Sequence, residues 1–178
     1  MNKINIWRIV RDHFGTLRNF QTGEVSGSDI LTFFALPFFA ALTGAYRHAV
    51  LSGDVLIAIL TAFSIFAGLL FSLLLLVFSL TDKSDPQSML FATRKQLVAE
   101  LYDNISFAIL TSIAIVTLTI IAGMKTRENT AQYHAEWVLT SVLILLMTNF
   151  ILTILMILKR MHALLTQALK EKSAKKIA

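Results

Sequence analysis

Four stretches without a single charged residue, Ile30 to Tyr46, Val55 to Thr81, Asn104 to Met124 and Trp137 to Leu158, occupy nearly half of this chain. They hold 17, 27, 21 and 22 residues. A helix rising about 1.5 Å per residue needs about 20 residues to cross about 30 Å of hydrocarbon. No water in a bilayer core bonds an exposed N–H or C=O, so apolar runs of this length form helices, whose backbone bonds stay within the segment, rather than open strands. The expected fold is therefore an all-α membrane protein with four transmembrane helices. Composition agrees: 15% of residues are charged and 56% hydrophobic, against about 25% charged in soluble domains. The segment before Ile30 carries Asp12, Glu24 and Asp29 and leads to no small-residue cleavage site, so the first span is expected to be retained. With no cysteine, disulfides, thiolate catalysis and cysteine-ligated metals are excluded.

Lysine and arginine report orientation through their excess in cytoplasmic loops. The amino-terminal segment carries Lys3, Arg8, Arg11 and Arg18, the loop between spans two and three Lys83, Arg94 and Lys95, and the tail Lys159, Arg160, Lys170, Lys172, Lys175 and Lys176. The other side has only Arg47, Lys125 and Arg127. Both termini are expected in the cytoplasm, and the lipid bilayer is the first partner. The net charge of +5 is concentrated beside membrane ends, where anionic headgroups attract each basic residue by about 1 kcal/mol. No basic patch interleaved with aromatics is present, so no direct nucleic-acid partner is expected.

Residues 1–20 place Ile6, Ile9, Val10, His13, Phe14 and Leu17 on one helical face with Arg8, Arg11, Asp12 and Arg18 elsewhere. This amphipathic helix suits the headgroup layer or the face of a partner helix. A linker, 21–29, follows, with Ser28 or Asp29 as the cap of the first span, and residues 30–178 form the transmembrane domain with its cytoplasmic extensions. Pro37 is expected to kink the first span. Asp85 and Pro86 read as the start of a helix that runs to Ala122 without a breaker. Its 36 residues from Gln87 rise about 54 Å, so its first part stands outside the bilayer. Span four extends likewise through Met161, Leu164, Leu165, Ala168 and Leu169. Small residues at four-residue spacing, Ala40 with Gly44 and Ser64 with Gly68 and Ser72, let helices approach closely.

Candidate chemistry is sparse. Arg8 and His13 satisfy the R-x4-H pattern of HEPN ribonucleases, but a basic amphipathic helix meets that pattern readily, and a satisfied or interfacial histidine is the simpler reading. His48 and His134, near Asp54 and Glu136, match no metal spacing. His162 beside Lys159 and Arg160 reads as helix surface. No carboxylate lies within a span, where a proton-coupled transporter keeps one. Thr148 and Asn149, with Ser72, are the candidates for intramembrane polar packing or a pore lining, and Asn104, Ser106, Thr111 and Ser112 add a polar seam at the start of span three. No cofactor site and no enzyme constellation emerges.

The strings LLFSLLLLVFSLTDK at 69–83, ELYDNISFAIL at 100–110 and LMILKRMHALL at 155–165 resemble small four-span proteins of bacterial antiphage defence loci, notably the membrane subunit of the Kiwa system. The resemblance is one of layout over about 130 residues, without a diagnostic motif. It implies a homo-oligomer of the inner membrane, a tetramer, that senses infection at the envelope and signals to a soluble cytoplasmic effector. Short outer loops and long basic inner helices agree with such a sensor or scaffold, whose docking residues are expected at Arg94, Lys95, Lys159 and Arg160. The alternative is an oligomeric pore that depolarises the membrane, and a more distant one a ribonuclease accessory protein using Arg8 and His13.

Overall fold

A computed structural model describes residues 6–16, 27–82, 91–125 and 133–177, with side chains at 6–16, 31–79, 95–124 and 136–166. Every regular element among them is helical: α1 (Ile6–Gly15), α2 (Gly27–Tyr46), α3 (Gly53–Asp82), α4 (Phe91–Lys125) and α5 (Tyr133–Ile177). Three stretches are long and apolar enough to cross a membrane, Gly53–Ser79, Lys95–Met124 and Glu136–Thr166, while Leu31–Tyr46 is a shorter apolar helix. α2 begins at Gly27, so Ser28 and Asp29 fall in its first turn rather than before it, and it continues through Pro37. The expected helix start at Asp85 and Pro86 lies outside the described residues, as does most of the linker.

Packing follows a repeat of seven. The buried residues of α3 include Leu56, Phe63, Leu70 and Val77, with Ile59 beside them, those of α4 include Leu101, Ala108 and Ile115, and those of α5 include Leu143, Phe150 and Ile157. A heptad under-winds the seam to 3.5 residues per turn and lets helices wrap around each other with a left-handed twist, knobs into holes. α3 packs on α4, α4 on α5, and α5 on α2. α2 and α3, though consecutive, do not pack on each other among the described residues. The four long helices thus form an open row, α3–α4–α5–α2, bound across its concavity by Phe150 of α5, whose ring meets Phe63 of α3 at 4.9 Å and Phe66 at 5.6 Å. Outward faces are largely apolar, with Phe34, Phe38, Phe39 and Leu42 of α2 and Ile57, Ile65, Leu69 and Phe78 of α3 exposed. Hydroxyls within the helices bond to their own preceding turn, as Thr111 does to the Phe107 carbonyl at 2.9 Å and Thr153 to that of Asn149 at 2.9 Å. That satisfies them inside an apolar phase.

α2 approaches α5 through Gly44, where an added Cβ would lie 2.7 Å from Ile144 Cδ1. Gly44→Ala is expected to lower stability by no more than about 1 kcal/mol, the low end of the cost of overpacking, because the atom it meets is the movable end of the Ile144 side chain. Removing that one methyl by Ile144→Val in the same chain should relieve the contact and recover most of it. Thermal unfolding in detergent reads both variants. Just beyond, α2 ends in a Schellman arrangement: Ala49 N–H donates to the Gly44 carbonyl at 3.0 Å and His48 N–H to that of Ala45 at 3.1 Å. His48 takes the left-handed position, φ 48°, that glycine normally fills.

Candidate functional site

The polar centre of the molecule lies where α1 docks on α4 and α5, at the edge of their charge-free stretches. Glu100 and Asp103 of α4 and Arg160 of α5 stand just outside the charge-free stretches Asn104 to Met124 and Trp137 to Leu158. Antiparallel packing brings these boundaries side by side. Arg160 Nη1 lies 3.3 Å from Glu100 Oε2, and both side chains are largely buried, 12% and 20% exposed.

α1 brings His13 to this cluster. The imidazole is fully buried, stacked on the Phe107 ring at 3.8 Å and 3° and edge-on to Phe33 of α2. Its neighbour Phe14 stacks on Phe34 of α2 at 5.3 Å. His13 Nδ1 is 2.8 Å from Asn104 Oδ1, while Asn104 Nδ2 donates to the Glu100 carbonyl at 2.7 Å. The amide orientation is thereby fixed, Oδ1 is the acceptor, and the histidine proton sits on Nδ1. Thr16 closes the group, its hydroxyl 2.6 Å from the His13 carbonyl oxygen and 3.1 Å from Asn104 Oδ1, one proton shared between two acceptors. Arg160 Nη2 donates to the Thr16 carbonyl at 2.7 Å, so a cation sits at the carboxyl end of α1, where the helix dipole favours it.

Two buried nitrogens of this cluster make no hydrogen bond among the described residues. His13 Nε2 is buried without a hydrogen-bond partner among the described residues, and Arg160 Nη1 holds its ion pair without hydrogen-bond geometry. Burial pushes the His13 imidazole down to about 4; the bond to Asn104 opposes that shift and the Arg160 charge adds to it.

The residues singled out from sequence meet different fates. Arg8 pairs with Asp12 at 3.4 Å and is 79% exposed, whereas His13 is enclosed, so the R-x4-H residues do not converge on one point. Arg160 is engaged within the chain. Lys95, Lys159 and His162 are exposed near the same end, and the Arg94 side chain lies outside the described residues. Ser72 faces outward on α3 and bonds the Gly68 carbonyl at 3.1 Å, while Thr148 and Asn149 are half-buried on α5. Of the seam, Asn104, Thr111 and Ser112 are buried. His48 packs edge-on to Trp137 at 5.6 Å, Asp54 lies in the first turn of α3 and Glu136 in that of α5, and the His134 side chain lies outside the described residues. No group of three or more metal-ligating side chains occurs among the described residues. At the opposite end from α1, a groove of about 470 Å³ between α3 and α4 is lined by Leu56, Ile57, Leu60, Ile120 and Met124. It is apolar and offers no chemistry.

Thr16, Glu100 and Phe107 had no part in the expected site. A signal for Glu100 was present in the sequence, since it and Arg160 mark matching ends of the charge-free stretches of two adjacent antiparallel helices. The chain matches no family model, no curated protein and no solved structure.

Proposed function

We propose that this chain is the inner-membrane sensor or scaffold subunit of a bacterial antiphage system, with four spans, both termini in the cytoplasm, and a soluble effector docked on its cytoplasmic helices. The observation that carries the reading is α5, a single helix of 45 residues. Such a helix is about 68 Å long, more than twice the hydrocarbon thickness. Its basic end, with that of α4, therefore stands clear of the membrane beside the cluster that ties α1 to both. A change in how the spans pack shifts these ends relative to one another and so biases a partner bound there.

Self-association into a tetramer completes the proposal. The outward stripe Thr61, Ser64, Gly68 and Ser72 of α3 is exposed and supports close approach of a second helix.

Arg94, Lys95 and Lys159 are the docking residues, with Arg160 positioned behind them by Glu100. Charge reversal at all three, Arg94→Glu with Lys95→Glu and Lys159→Glu, is expected to lower recovery of the effector at least tenfold when the protein is purified from cells expressing its operon. Extraction from the membrane and oligomer mass should not change. Equal recovery of the companion contradicts the docking surface, and a homo-oligomer that purifies alone and conducts ions in vesicles favours a pore.

A further inference from the structure

We propose that His13 is a proton-binding site: neutral, it latches α1 onto α4 and α5; on accepting a second proton, it releases α1. The proposal deepens the sensor reading, since it rests on α1 lying in the cytoplasm, and it names the proton as a stimulus.

The geometry provides for one proton only. Nδ1–H is committed to Asn104 Oδ1 at 2.8 Å, Asn104 is held in that orientation by the Glu100 carbonyl, and Nε2 is buried without an acceptor among the described residues. A second proton, on Nε2, places an imidazolium at a fully buried position with no acceptor among the described residues, a costly burial.

The charged groups around it do not compensate. From α5, Arg160 repels the imidazolium. From α4, Glu100 is already paired with Arg160, and Asp103 interacts with Asp12, Arg160, Glu100 and Arg8 together. On α1 itself, Asp12 is bound to Arg8. α2 contributes the rings of Phe33 and Phe34. The face of Phe107 attracts a cation, but one phenyl ring does not replace a lost hydration shell.

The docked helix also remains releasable. Ile6 and Trp7 are exposed, Trp7 by 75%, so α1 leaves the bundle carrying an apolar edge suited to the headgroup layer. Its departure uncovers Glu100, Asn104 and Arg160. A breach of the membrane admits protons to the cytoplasm, so the latch converts envelope damage into a change at the docking end.

The sign follows from linkage. Docked, His13 titrates near 4; released, near its ordinary value of about 6.5. The docked state binds fewer protons, so docking is strongest at neutral pH and weakens as pH falls through about 6.5 towards 4, tenfold between about pH 7.5 and 5.5.

Hydrogen exchange on the full chain in lipid nanodiscs, each rate divided by its intrinsic rate at that pH, measures this directly. Protection of residues 6–16 is expected to fall about tenfold from pH 7.5 to 5.5, with α3 unchanged. In His13→Gln, which keeps a side-chain amide donor for Asn104, α1 protection should be independent of pH over that range. In Asn104→Asp, whose carboxylate stabilises the imidazolium, the wild-type response should shrink. Unvarying protection in the wild type, the same fall in His13→Gln, or an α1 unprotected already at pH 7.5 overturns the proposal. No effector is present, so such a result leaves the docking reading intact, just as failure of effector recovery leaves the latch intact.

Discussion

Replacing Arg160 by leucine is expected to destabilise the protein by about 3–5 kcal/mol, the usual cost of removing one partner from a buried ion pair. The loss has two sources. Glu100, 20% exposed, keeps a charge with no cation beside it, and the Thr16 carbonyl loses the 2.7 Å bond that ties α1 to α5. Charge, rather than size, dominates, so Glu100→Gln added to Arg160→Leu should recover a large share of the stability while α1 remains loosened. Thermal unfolding in detergent gives the first quantity and protease sensitivity of α1 the second. A single variant within 1 kcal/mol of wild type would place the pair among weak surface bridges.

Phe150→Ala is the second large effect, expected at about 3–5 kcal/mol. Phe150 is 2% exposed and is where α3 reaches α5, through Phe63 in a T-shaped contact and Phe66 tilted beside it. Its removal leaves a void facing two rings on a helix that otherwise packs on α4 alone. Surrounding side chains collapse only partly, and lipid tails cannot enter an interior gap. Phe150→Leu, which keeps most of the volume, should cost less than half as much. Equal losses for the two variants would mean that ring stacking, not volume, holds α3 in place.

Helix content and the long apolar segments were legible in the sequence because bilayer physics leaves few alternatives. The seam was not. In a soluble helix Leu56, Phe63, Leu70 and Val77 would stand out from polar neighbours. Here the exposed Ile57, Ile65 and Phe71 are equally apolar, so periodicity carries no contrast and only packing separates core from lipid. The same loss of contrast hid which helices are neighbours. At the polar boundary the sequence said more. His13 lay on the apolar face of its predicted helix, and Asn104 was part of the expected seam, but their pairing is a contact between residues 91 positions apart that no local pattern encodes. Arg160 illustrates the converse. Its place in a basic run suggests a surface residue, whereas its position opposite Glu100 turns it inward.

The open row also constrains the loop that joins its two ends. α2 and α3 occupy opposite ends of a line of four helices, and neighbouring axes lie about 8–10 Å apart, so a flat row would separate these ends by about 24–30 Å. The chain has only residues 47–52 between Tyr46 and Gly53, a reach of at most about 25 Å when fully drawn out. Two of those residues are already spent in the compact turn at His48. The row therefore cannot lie flat. Its curvature at that end is imposed by a covalent tether rather than left to packing, as a bowstring holds a bow. Bending is thus built into the single chain before any lipid or partner acts on it.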